Sequence, residues 1–140
     1  MATRQDLSKF LVLVVGDFRQ GAPEALALRA LGMRVFAAGM ASAAARRQME
    51  LAGVAISGLV RSRKEVVDAA VERVGGCDAA MVVSPGWQRE LEALREAERE
   101  NAAMDGRGMI PILALHEQET KSRGHKKQNS DASPGRRNRA

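Results

Sequence analysis

Residues 9–15 read KFLVLVV, an unbroken apolar run behind Lys9 with three valines. A strand with one wet face would alternate, so the run predicts a strand buried on both faces. Gly16 ends it, and Asp17-Phe18-Arg19-Gln20-Gly21 reads as a loop. Pro23 suits the first turn of a helix and Glu24 favours its amino end. That helix reaches about Leu31, where Gly32 stops it. Arg34–Ala38 is a second strand closed by Gly39. Ser42 caps a helix over 43–52 that Gly53 ends. VAISGLV at 54–60 is a third strand, weakened by Gly58. Ser62 caps a helix over 63–74, with Val66, Val67, Ala70, Val71 and Val74 at helical spacing. Ala79–Val83 is the fourth strand, and the helix after Trp87 runs to about Met104. Met109–Leu115 is the fifth strand, and Pro111 near its start suits an edge.

Five β-α alternations with short loops predict an α/β fold, a parallel sheet between two helical layers. Right-handed crossovers leave few arrangements. The expectation is a flavodoxin-like or Rossmann-like three-layer sandwich of five strands in the order 2-1-3-4-5. The domain spans residues 9–118, after an amino-terminal extension at 1–8 and before a disordered basic tail at 119–140.

Composition changes this picture in three places. Aromatic residues are 3% of the chain and Tyr is absent, so the core must be aliphatic and alanine-rich. Cys77 is the one cysteine, which excludes an intrachain disulfide and a cysteine-cluster metal site and suits a reducing, cytoplasmic setting. Neither a metal nor a cofactor is expected. The net charge of +5 is carried by the tail: residues 121–140 hold seven basic side chains and one acid, which leaves −1 on residues 1–120. A folded nucleic-acid-binding face is therefore not expected. Weak contact of the tail with nucleic acid or an acidic partner is open to charge alone. The opening MATRQDLSKF carries no apolar run behind a basic head, and no stretch approaches a membrane span, so neither a signal peptide nor a membrane partner is expected.

In the expected topology the carboxyl ends of the first and fourth strands share a crevice, where such folds bind ligands. It collects Gly16, Asp17, Arg19 and Gly21 from one loop. From the other it collects Pro85, Gly86, Trp87, Arg89, Glu90, Glu92, Glu96 and Glu98. Read without further context, the acidic helix is a solvated face laced with ion pairs, Arg19 pairs with Asp17, and Trp87 anchors its loop. Asp78 sits at the far end of strand four and reads as structural, Asp68 as a surface residue and Cys77 as a buried small hydrophobe. His116 and His125 have no partners at ligand or triad spacing.

Two stretches carry a resemblance. Gly16-Asp17-Phe18-Arg19-Gln20-Gly21 resembles the G-S-I-R-G-G loop of the deoxynucleoside monophosphate N-glycosidases, within the nucleoside 2-deoxyribosyltransferase-like superfamily. Cys77-Asp78-Ala79 followed by Pro85-Gly86-Trp87 is similar to the C-D-A…L-P-G-W segment of its short bacterial and phage members, where a G-A-x-x-E helix follows; Ala93 and Glu96 fall on that spacing.

The resemblance implies hydrolysis or transfer at the N-glycosidic bond of a nucleoside or nucleotide. A helix-borne Glu would attack C1′ as the base leaves, and water or a second base would open the glycosyl-enzyme. It also implies that Arg19 holds a 5′-phosphate. Counting forward from Pro85-Gly86-Trp87 selects Glu96 as nucleophile. Counting back from Gly106 selects Glu98, as does its place on the stripe with Leu91, Leu94 and Ala102; both stand as candidates. The family's phosphate-contacting Ser, six positions earlier, is replaced by Glu90 or Glu92. In the transferases an Asp at that position handles the base. The Ser of the first loop is replaced by Asp17. Two acids beside a phosphate would repel it, which favours a ligand without phosphate. The alternative is a catalytically inactive nucleotide-binding or scaffold protein of the same fold. A receiver-like signalling domain is a weaker reading, because strand one offers only Asp17 and Val60-Arg61-Ser62 stands where an Asp would end strand three. Oligomers are common among such crevice enzymes, though no residue assigns one here.

Overall fold

A computed structural model of the chain describes residues 6–115. The elements are β1 (Leu11–Phe18), α1 (Pro23–Ala30), β2 (Arg34–Ala41), α2 (Ala43–Ala52), β3 (Ala55–Ile56), α3 (Arg63–Val74), β4 (Ala79–Val82), α4 (Gln88–Asp105) and β5 (Ile112–Ala114). All four strand pairings are parallel. The α/β class, the five-stranded parallel sheet and the helix caps at Ser42 and Ser62 are as expected. A 3-10 turn at Leu7–Lys9, capped by Asp6, packs on β2 within the segment read as an extension. His116, His125 and the basic tail lie outside the described residues.

The strand order is β3-β2-β1-β4-β5, not 2-1-3-4-5. The third strand lies outside β2 and leaves the place beside β1 to β4. Pairing length and burial account for this. β3 pairs over only two residues, neither of them buried, whereas a central parallel strand must be apolar on both faces. β4 offers four residues in register with Val12–Val15, and Ala80 and Val82 are buried. α2 then stays on the α1 side, burying only Ala45 and Met49. The change of direction now falls between β1 and β4, so their carboxyl ends flank the topological switch point.

Side chains alternate across β1 and sort the core into two layers. Val12, Val14 and Phe18 pack with α1 and α2, through residues such as Ala25, Ala45 and Met49. Leu13 and Val15 pack with α3 and α4, through Val66, Ala70, Leu91 and Leu94.

Gly16 and Gly39 do not stop their strands. They are paired neighbours, and both strands continue two residues beyond them. A Cβ on Gly39 would lie 2.1 Å from the Gly16 carbonyl oxygen and 2.5 Å from the Phe18 ring. A Cβ on Gly16 would lie 2.7 Å from Ser84 Oγ. The glycines thus let two backbones, an aromatic ring and a loop hydroxyl meet at the carboxyl end of the sheet.

Candidate functional site

Because β1 runs on to Phe18, Asp17 is a strand residue on the α3/α4 face and not a loop residue. Its backbone N–H donates to Ser84 Oγ at 2.8 Å, tying the end of β1 to the loop after β4. Its carboxylate accepts from Arg19 three times, from the backbone N–H at 3.1 Å, Nε at 2.9 Å and Nη2 at 2.6 Å. The Arg19 guanidinium holds Asp17 below the usual carboxylate range; partial burial opposes this, and the Arg63 charge assists.

Arg63, in the first turn of α3, is the centre of the site. Its Nε and Nη2 donate to the two oxygens of Glu90 at 2.9 Å each, and Nη2 also donates to the Gly86 carbonyl at 2.8 Å. The guanidinium lies 4.7 Å over the Trp87 ring centroid. One side chain therefore clamps the 84–87 loop, the only Trp and the first turn of α4. Gly86 takes φ +79°, which a side chain would strain. Glu90 is 8% exposed. Burial alone would raise its pKa, but the Arg63 bonds and the charges of Arg63 and Arg89 outweigh that and keep it ionised below the usual range.

Beside this clamp a groove of about 730 Å³ is lined by Arg63, Lys64, Gly86, Gln88, Arg89 and Glu90. Lys64 also pairs with Asp68 at 3.4 Å across the exposed face of α3. The acids expected to repel an anion each carry an arginine, and the rim adds Lys64 and Arg89. The lining of this groove, three cations against Glu90, is thus cationic on balance, and Asp17 and Glu90 each stand paired with an arginine rather than as bare charges.

The remaining candidates are elsewhere or are occupied. Trp87 is 6% exposed and packs in the α3/α4 core, with one face under Arg63. Glu92 is exposed and bonds Gln88 and Arg95; Glu96 is exposed and pairs with Arg99. Glu98 is fully buried, yet it does not reach the crevice. It accepts from Arg107 at 2.5 and 3.2 Å and from the Ile110 N–H at 3.0 Å. Those partners follow α4 and precede β5, so they lie at the opposite end of the sheet from Glu90. Eight residues of helix separate the two acids, roughly 12 Å. The Arg107 bonds hold Glu98 below the usual range, opposed by burial and helped by Ile110 N–H. The structure brings Gly16, Asp17, Arg19, Pro85, Gly86 and Glu90 to one end of the sheet and leaves Glu92, Glu96 and Glu98 out. Gly21, at φ +119°, closes the turn between β1 and α1.

Sequence reasoning passed over Arg63. A signal was present: Arg63, Lys64 and Arg89 stand in first turns, where the helix dipole disfavours cations. Placement against the local preference points to a partner from elsewhere in the fold. Asp78 is structural as expected, accepting the Leu11 N–H at 2.8 Å across strands β4 and β1. Asp68 is exposed, and Cys77 is buried.

A smaller cavity of about 200 Å³ lies at the amino end of the sheet and includes Arg29, Arg34 and Arg73. Arg29 and Arg73 sit in the last turns of α1 and α3, which cations favour, and Arg73 stacks 4.1 Å over Phe36. Among the described residues no group of three or more His, Cys, Asp or Glu could hold a metal ion, and no helix is long and apolar enough to cross a membrane. No protein-family model matches the chain, and no curated protein matches it.

Proposed function

We propose that this domain binds a small anion-bearing ligand, a nucleotide on the resemblance above, in the groove beside the Arg63 clamp at the carboxyl end of the sheet, without cleaving it. The observation that carries the reading is the bidentate clamp of Arg63 on Glu90. A nucleophilic carboxylate needs an accessible oxygen aimed at C1′ at about 3–3.5 Å, and Glu90 is only 8% exposed. Among the described acids of α4, Glu90 alone belongs to the crevice, and both its oxygens already accept from Arg63. Glu98 is enclosed by Arg107 and Ile110, so no sugar can approach it. The cationic rim at Lys64 and Arg89 suits a phosphate or carboxylate.

Hydrolysis or transfer at the N-glycosidic bond is the second reading, and one observation favours it. Glu90 is an ionised carboxylate at the switch point, which a ligand phosphate could release by drawing Arg63 away.

The full chain is incubated with a panel of deoxynucleosides and deoxynucleoside monophosphates, following thermal melting and free base in parallel. The expected outcome is a raised melting temperature with monophosphates and no free base. At about 100 times Kd the linkage is about 2.7 kcal/mol, on the order of 10 °C for a domain of this size. Base release abolished by Glu90→Gln replaces the binding reading with the enzymatic one. Absence of both shift and base release ends both.

A further inference from the structure

The cavity at the amino end of the sheet follows from the late start of β3. β3 joins β2 only from Ala55, opposite Phe36, so Arg34 and Val35 have no paired strand on that side. Arg34 N–H donates to the Phe10 carbonyl on the β1 side, and the Ala37 carbonyl accepts from Ser57 on the β3 side. By alternation the Val35 N–H turns toward the place where β3 has not begun, and Val35 lines the cavity. Arg34 shares the α3 face of β2 with Phe36.

Three arginines line this space of about 200 Å³: Arg29 from α1, Arg34 from β2 and Arg73 from α3. Among the described residues no carboxylate lines the cavity and none pairs with any of the three. Elsewhere in the domain Arg19, Arg63, Arg99 and Arg107 each hold an acid. Asp78, beside Cys77 in the chain, accepts the Leu11 N–H instead. The donors are largely open. Arg29 uses Nη1 on the Met33 carbonyl at 3.3 Å, while its Nε and Nη2 lie against Gly53, where a Cβ would come within 2.9 and 3.3 Å of them. Arg73 stacks on Phe36 through its face, which leaves the edge of the guanidinium to donate. The Arg34 side chain donates to nothing among the described residues. Helix ends balance part of this charge, since Arg29 and Arg73 stand in the last turns of α1 and α3. Each helix end carries roughly half a negative charge, so about −1 faces three guanidiniums and about +2 is left over. Like charges around one cavity repel unless an anion sits among them.

We infer that this cavity is a second anion site, built for a phosphate group and separate from the groove beside Arg63 at the other end of the sheet. The leftover charge of about +2 matches a phosphate monoester, which carries about −1.5 to −2 near neutral pH. Guanidinium edges and a backbone N–H only donate, and the oxygens of a phosphate only need to accept. The volume is below the roughly 300–1,000 Å³ of pockets that enclose a whole drug-sized ligand. The phosphate group is therefore held inside, and the rest of a phosphomonoester stays in solvent.

The full chain is titrated with inorganic phosphate and, separately, with glycerol phosphate, in chloride buffer at one fixed ionic strength. The readouts are the melting temperature and the rate at which Cys77 reacts with uncharged N-ethylmaleimide. Cys77 is buried on the cavity wall, so the reagent reaches it by opening of that end. At about ten times Kd, phosphate should slow the reaction roughly tenfold and raise the melting temperature. Arg34→Gln should need about tenfold more phosphate for the same effect, the loss expected for one charge-assisted contact. Arg73→Gln should shift the response in the same direction, whereas Arg63→Ala should respond as the wild type does. Without phosphate, Arg34→Gln should melt at or above the wild-type temperature, because only like-charge repulsion is removed. Glycerol phosphate as effective as phosphate assigns the site to a phosphomonoester, and phosphate acting alone assigns it to the free ion. A wild type indifferent to both, an Arg34→Gln protein that responds like the wild type, or a response lost in Arg63→Ala and kept in Arg34→Gln overturns the proposal.

Discussion

The two ends of α4 use the same device for different purposes. Each holds a buried glutamate gripped at both oxygens by an arginine from outside the helix. At the carboxyl end of the sheet, Arg63 reaches Glu90 from α3 and remains 46% exposed beside a groove. At the other end, Arg107 reaches back to Glu98, the Ile110 N–H fills the remaining position, and the carboxylate sees no solvent. The first pair sits where a ligand could compete for it. The second ties the end of α4 to the approach to β5. Inward orientation on a helix stripe therefore does not by itself make an acid functional; what decides is whether its partner can be exchanged.

The largest effect is expected at the closed end. Arg107→Ala leaves an ionised carboxylate buried without its guanidinium and should cost about 3 kcal/mol or more. Glu98→Gln keeps the shape and removes the charge, and should cost roughly 1–2 kcal/mol. The double variant should lose less than the sum, since the two residues are coupled. Urea denaturation of the four proteins measures this. Equal losses from both single variants and full additivity would show that the pair is not a unit.

Next is the acid limb of stability. The folded pKa of Glu98 is depressed, so its contribution is fully present above the unfolded carboxylate value of about 4.3 and is lost as pH falls through the folded value. Asp17 and Glu90 are depressed in the same sense. Urea midpoints of the wild type should be flat near neutral pH and drop below that value. Glu98→Gln should start lower and fall less steeply, and parallel curves would contradict the assignment.

A smaller loss is expected at the open end. Arg63→Ala removes a half-exposed pair and a cation–π contact, roughly 1 kcal/mol together. It should nevertheless alter Trp87 fluorescence and weaken any ligand-induced melting shift, because it releases the 84–87 loop. Unchanged fluorescence would mean that Arg63 does not hold that loop.

Cys77 distinguishes the two ends with almost no energy at stake. Its thiol is buried, donates to the Arg73 carbonyl at 3.2 Å, and is pushed up to about 11, first by burial and then by the charge of Asp78. A disulfide reagent at pH 8 should react on the order of 100-fold more slowly with the native protein than with the unfolded chain. Arg107→Ala should speed that reaction and Arg63→Ala should leave it unchanged. The reverse ranking would break the comparison.

Much of this architecture was legible in the residues. The caps at Ser42 and Ser62 and the turn glycines are local signals, and α2 and α3 start and stop where those signals stand. The unbroken run before Gly16 called for a strand covered on both faces, and β1 is central. Pro111 pointed to an edge, and β5 is one. Glu98 was read correctly as inward-facing, from a stripe shared with Leu91 and Leu94. Its role was not legible, because Arg107 and Ile110 approach it only after the chain has turned back into β5. Trp87 reads as a loop anchor, and its burial in the α3/α4 core agrees.

Alternation of apolar runs, caps and breakers is short-range chemistry, and by itself it determined the class of fold, the number of strands and most element limits. Tertiary structure alone decided three things. It set β3 outside β2, because two paired residues cannot fill a central strand. It carried both strands through Gly16 and Gly39, because the missing Cβ atoms admit a carbonyl and a ring from neighbouring segments. It sorted the acids of α4 into one pair at an open crevice and one sealed at the far end, because their arginines lie 27 residues before Glu90 and 9 after Glu98. A carboxylate's chemistry depends on what comes within 3 Å of it, and no periodicity along one helix contains that distance.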